Sequence, residues 1–196
     1  ISLSGDSRPA SGAEHHMSHY WETILEQRGI RPAMHGEQVA VGTVLVLMLI
    51  EELLKENIDF DAARESARAY NSAAWELEIR AHYGAAADEV IALEQKAGKN
   101  NIEGSLARID SMQRSWDAVR VQLETLPESS SVRALLRDIG CPCTPADICV
   151  DDELLMDTFR YCKEIRARYT VFQTVYDLGL TDKLAARVIE KANSTD

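Results

Sequence analysis

Ser11-Gly12-Ala13-Glu14-His15-His16-Met17-Ser18-His19-Tyr20-Trp21-Glu22, running on through Ile24-Leu25-Glu26-Gln27, places apolar residues at intervals of three and four. That spacing predicts an amphipathic helix from Ser11 or Gly12 to about Gln27. Its apolar stripe is Ala13, Met17, Tyr20, Trp21, Ile24 and Leu25. At 3.6 residues per turn, His15, His19 and Glu22 fall on roughly the opposite face, and His16 lies between the two. One face can pack on a core while the other lines a cleft.

The same period recurs almost throughout, with no strand-rich region, internal repeat or low-complexity linker. Residues 29–32 make a turn. A second helix runs from 36 to about 55; it is apolar nearly all round and is expected at the centre, with His35 at its start. Further helices are expected over 60 to about 83 with Gly84 as cap, 85–97 ended by Gly98, 102 to about 123, and 130–139 before Gly140. Residues 142–148 read as a loop, with Thr144 as N-cap and Pro145 at the first helical position. A long helix capped by Asp151 or Asp152 is expected to reach about 168, with Leu155, Phe159, Cys162, Ile165 and Tyr169 as its stripe. Segments 169–178 and 182–192 close the chain. The sum is an all-α bundle, read as one domain over residues 1–196.

Composition narrows the function. The formal net charge is −11 over 196 residues. No basic stripe offsets it, which argues against a nucleic-acid partner and against an anionic membrane surface. The longest apolar stretch, 39–50, is too short to span a bilayer. No secretory signal opens the sequence, so cytoplasmic residence is expected. Cys141, Cys143, Cys149 and Cys162 fit no standard zinc spacing and form no CxxC pair; reduced thiols are expected, with Cys141-Pro142-Cys143 as a turn and Cys162 in the core. Trp75 and Trp116 read as core, Lys163, Arg166 and Arg168 as surface or ion-paired, and Glu51-Glu52 as a solvated face. No initiator Met is present and the histidine segment follows closely on residue 1, as expected of a piece of something longer.

All the histidines except His82 fall between positions 15 and 35. Imidazole is the commonest metal ligand and the usual proton shuttle near neutral pH. From spacing alone, two readings stand. In one, the histidines are exposed surface and capping residues. In the other, His15, His19 and His35 supply three ligands of an open metal site. The spacing His15 to His19 matches a zincin helix, but position 16 is His where that motif carries its Glu base, so a metalloprotease is excluded.

Ser7-Arg8-Pro9-Ala10-Ser11-Gly12-Ala13-Glu14-His15, then His19-Tyr20-Trp21-Glu22, His35-Gly36-Glu37-Gln38-Val39 and Gly42-Thr43, resemble the sn-glycerol-1-phosphate dehydrogenases, most nearly their bacterial branch. These belong with the iron-containing alcohol dehydrogenases, glycerol dehydrogenases and 3-dehydroquinate synthases. The likeness continues through Tyr83-Gly84, Glu94-Gln95-Lys96-Ala97-Gly98-Lys99, Asp157-Thr158-Phe159-Arg160, Ile165-Arg166-Ala167-Arg168-Tyr169-Thr170 and Asp177-Leu178-Gly179-Leu180, so it covers essentially the whole chain.

The resemblance implies a two-domain parent. An N-terminal Rossmann-like domain binds NAD(P), a C-terminal helical domain carries a divalent metal, and the active site lies between them. The implied metal ligands here are His15 and His35, with an Asp upstream of this chain as the third. His19 becomes a catalytic residue that contacts substrate or relays a proton, and Arg8 a phosphate contact. Glu14 and Glu37 are expected to orient the histidines. Zinc, nickel and iron(II) all suit this donor set. The implied substrate is a small phosphorylated polyol, and a homo-oligomer is expected. The implied reaction interconverts dihydroxyacetone phosphate and sn-glycerol 1-phosphate, with this chain inactive alone. Alternatives are a glycerol dehydrogenase or 3-dehydroquinate synthase-like enzyme, or a truncated, non-catalytic association domain.

Overall fold

A helix with valine, leucine and isoleucine on every side has no face to give to solvent, and the chain puts such a helix, α2 (His35–Leu54), at its centre. The computed structural model describes residues 12–194, which are all-helical. Helix α1 (Ala13–Gln27) lies along α2. The expected stripe of α1 is its buried face: Met17, Tyr20, Trp21, Ile24 and Leu25 are in the core. The close approach of the two helices rests on Gly42, where an added Cβ would sit 3.1 Å from the Glu14 carbonyl oxygen. Helices α7 (Ser129–Asp138) and α10 (Thr181–Asn193) cover other faces of α2, and α8 (Asp152–Tyr161) packs on both α10 and α1. Trp21 Nε1 donates to Thr158 Oγ1 at 2.8 Å, fixing α1 to α8.

Two expected helices are shorter than the period suggests. The stretch 60–83 divides into α3 (Phe60–Arg68) and α4 (Ser72–Tyr83). The Asn71 side chain accepts from Ala74 N, so a polar cap starts a new helix inside an apparently continuous pattern. The late helix, expected to reach about 168, stops at Tyr161; Cys162–Ile165 is a tighter 3-10 turn and Arg166 is extended. Lys99 Nζ bonds the carbonyls of Lys163 and Arg166, giving them the partner that a continued helix would have supplied. Of the two expectations for Lys163, surface or ion-paired, the structure shows the second: it is 1% exposed, pairs with Glu164 and sits over the Tyr176 ring. Between these segments run α5 (Ala87–Ala97), ended by Gly98 in the left-handed region, α6 (Ile102–Leu123) and α9 (Val171–Asp177). Trp116 joins the core, whereas Trp75 is only partly buried and donates to Glu164.

The acidic pair Glu51-Glu52 is not a solvated face. Glu52 is buried beside Lys55, and Glu51 reaches the start of α7, accepting from Ser129 N at 2.6 Å and Ser129 Oγ at 2.9 Å, with Lys191 alongside. The α7 N-cap, Glu128, offers no side-chain bond, so Glu51 satisfies that end from another helix. Partial burial raises the Glu51 pKa, but the Lys191 and Ser129 hydrogen bonds outweigh it and hold the carboxyl below its ordinary range. A depressed pKa stabilises the fold above the unfolded value, and that contribution is lost as pH falls through the folded one. Glu51→Gln is therefore expected to cost about 1–2 kcal/mol at pH 7. In paired denaturant titrations the gap to the parent chain should narrow as pH drops through the carboxylate range.

Candidate metal centre

The polar face of α1 and the first residue of α2 meet because the helices pack in a hairpin with their His-bearing ends together. The ring centres of His15 and His35 are 5.3 Å apart, those of His19 and His35 5.4 Å, and those of His15 and His19 6.5 Å. The three histidines singled out in the sequence are one cluster.

Each imidazole is held by its Nδ1 atom. His15 Nδ1 lies 2.8 Å from Glu14 Oε1, His19 Nδ1 3.1 Å from Glu22 Oε2, and His35 Nδ1 3.0 Å from Glu22 Oε1. His35 Nδ1 is also 3.0 Å from Ser18 Oγ, which in turn donates to Gln38 Oε1. A carboxylate favours N–H on Nδ1, which leaves the Nε2 lone pair for a ligand; metal-binding histidines are ordinarily held this way. Burial raises the Glu14 pKa, but bonds from His15, its own amide and Gly12 outweigh it, so its carboxyl lies below its ordinary value.

Donor atoms of His19, Glu22 and His35 all fall within 4.8 Å of one another. Ligand atoms on one metal with bonds of about 2.0–2.1 Å lie within roughly 4 Å of each other, so this grouping is wider than a closed site, and it does not include His15. Both Glu22 oxygens already face imidazole nitrogens, so Glu22 serves here as an orienting carboxylate.

Glu37 does not have the orienting role expected for it: its Oε2 accepts from Met34 N at 2.9 Å and caps α2. Glu22 has that role instead. Its spacing of three from His19 was visible in the sequence, but its reach to His35 needed the hairpin. Arg8 lies outside the described residues. His82 is not part of the cluster; it is stacked on Tyr161 and paired with Asp157. All four cysteines are free, and burial pushes the Cys162 thiol well up. His16 is fully buried, with neither ring nitrogen partnered. Burial first, and then the charges of Lys99, Arg166 and Arg168, push its pKa down to about 4, so it is neutral at pH 7.

A cleft of about 320 Å³ opens beside the cluster, lined among others by His19, Glu22, Thr23, Tyr83, Val90 and Arg166. It gives a small molecule access to His19 and Glu22.

No protein-family model matches the chain, and no solved structure does. Relatives do. A glycerol-1-phosphate dehydrogenase [NAD(P)+] of Halalkalibacterium halodurans is 28% identical over 167 residues, 85% of this chain and 32% of the relative. One from Geobacillus stearothermophilus is 26% identical over 177 residues, 90% of this chain and 35% of the relative. One from Korarchaeum cryptofilum is 47% identical over 49 residues, 25% of this chain. The chain spans about a third of the length of the two bacterial relatives.

Proposed function

We propose, from the premise that this chain is a relative of the glycerol-1-phosphate dehydrogenases, that it is the metal-holding helical part of an enzyme interconverting dihydroxyacetone phosphate and sn-glycerol 1-phosphate with NAD(P). The carrying observation is the set of three imidazoles, each tied through Nδ1 to a carboxylate, on a chain similar to those dehydrogenases along most of its length.

His15 and His35 would hold the metal through Nε2, and a carboxylate from a nucleotide-binding domain would complete the set. When bound, a divalent metal polarises the substrate carbonyl and stabilises negative charge on its oxygen. The chain's own residues do the rest. Glu14 and Glu22 fix ring orientation and tautomer. His19, which lines the cleft while Glu22 holds its Nδ1, gives or takes a proton at Nε2 at the substrate hydroxyl.

The test pairs elemental analysis of this purified chain with a hydride-transfer assay of the whole gene product. Zinc, nickel or iron bound to the chain and lost in His15→Ala, together with NAD(P)H oxidation by dihydroxyacetone phosphate, is the expected result. Metal that survives His15→Ala moves the site elsewhere, and preference for unphosphorylated dihydroxyacetone makes the enzyme a glycerol dehydrogenase.

A further inference from the structure

Resting on the proposed function, we infer that Arg166 is the anion anchor of this site, holding the phosphate of a phosphorylated polyol in the cleft that ends at His19.

The first ground is shared space. Arg166 and His19 line the same cleft of about 320 Å³, Arg166 from the segment after the 3-10 turn Cys162–Ile165 and His19 from α1. A three-carbon phosphate ester has a polar head and a hydroxylated end, and this cleft offers a cation for one and an imidazole for the other. Val90, Leu93 and Ile165 are apolar members of a lining that is otherwise largely polar.

The second ground is an unspent charge. Among the described residues of this acidic chain, Arg64, Arg80, Arg108, Arg160 and Arg187 pair with carboxylates, whereas Arg31, Arg68, Arg114, Arg133 and Arg166 do not; of these five only Arg166 lines the His19 cleft. Arg166 has no carboxylate partner among the described residues; its one bond runs from Nη1 to the neighbouring Ile165 carbonyl at 3.3 Å. Two carboxylates line the same cleft. Glu22 has both oxygens directed to imidazoles, and Glu89 on α5, exposed as Arg166 is, makes no ion pair with it. A planar guanidinium without a partner matches the paired oxygens of a phosphate.

The third ground is the mount. An anchor must be fixed, and the Arg166 backbone is fixed by Lys99, whose Nζ bonds the Arg166 carbonyl at 3.2 Å and lies 2.8 Å from Glu94. Lys99 and Glu94 are both buried. The same lysine that ends the helical run at Tyr161 therefore sets the position of Arg166. Lys99 is a positioning residue.

The test uses this 196-residue chain and reads binding directly. Arginine Nε–H resonances, assigned with Arg166→Lys, are followed by NMR on titration with sn-glycerol 1-phosphate, inorganic phosphate or glycerol. Both phosphates should shift the Arg166 signal and glycerol should not, and glycerol 1-phosphate should bind more tightly than inorganic phosphate. Arg166→Ala should weaken glycerol 1-phosphate binding about tenfold or more, as loss of a charge-assisted bond predicts. Arg166→Lys should weaken it less, and Arg80→Ala not at all.

A silent Arg166 signal, or unchanged affinity in Arg166→Ala, overturns the anchor. Equal affinity for the two phosphates overturns the polyol assignment. Zinc stoichiometry on the same samples separates the two ideas. Zinc bound with Arg166 silent removes the anchor and leaves the metal reading, whereas Arg166 responding on a chain that takes no zinc does the reverse.

Discussion

His35→Ala is expected to lower zinc affinity on the order of 10²-fold. In structural zinc sites four ligands share roughly 10–16 kcal/mol, about 3 kcal/mol each, and this chain supplies two histidines of the proposed set. His35 is the ligand that α2 contributes, and its ring centre lies within 5.3–5.4 Å of both other rings. The variant should keep its fold, because the His35 side chain is 45% exposed and Ser18, its buried partner, keeps its bond to Gln38. Competition with a chromophoric chelator measures the loss, and circular dichroism on the same sample checks the helices. An affinity equal to that of the parent chain would remove His35 from the ligand set and with it the proposed centre.

Trp21→Ala carries the largest expected cost in stability. Trp21 is fully buried between α1 and its neighbours, and its indole N–H bonds Thr158 Oγ1 across to α8. Truncation leaves a cavity and removes that bond, at about 3–5 kcal/mol. For a chain of this size each kcal/mol is worth about 2–4 °C, so the melting temperature should fall by roughly 6–20 °C. Trp21→Phe separates the two contributions. It keeps most of the volume, and Thr158 Oγ1 still donates to the Leu154 carbonyl, so about 1 kcal/mol is expected. Thermal melts of the three chains give the comparison. Equal losses for Ala and Phe would mean that the bond, and not the packing, holds α1 in place.

Local periodicity made some of this readable and left the rest hidden. The stripe Met17, Tyr20, Trp21, Ile24 and Leu25 is the buried face of α1 because one helix face needs only its own spacing to be recognised. The all-apolar stretch after His35 is central for the same reason. The break at Asn71 was hidden because a cap is a single polar residue inside an unbroken count. The end of α8 was hidden because its cause, Lys99, stands far back in the chain and acts on carbonyls that follow three intervening helices. The three histidines could be grouped from sequence, since all sit close to one turn. Their clamps divided: Glu14 is a neighbour of His15, whereas Glu22 spans two helices and Glu37 turned to the backbone. Charges that pair across elements leave no periodic trace.

His15, His19, His35, Glu14 and Glu22 all belong to the single hairpin of α1 and α2. Closing that one loop brings the imidazoles together, with no strand to thread, so the histidine part of the donor set has low contact order. A metal ion gripping it would tie the beginnings of two helices to each other as a reversible cross-link. Its strength would follow the logarithm of free metal concentration, about 2.7 kcal/mol at a hundredfold excess over the dissociation constant. The first hairpin of the bundle would then be the part of the chain whose folding responds to metal supply.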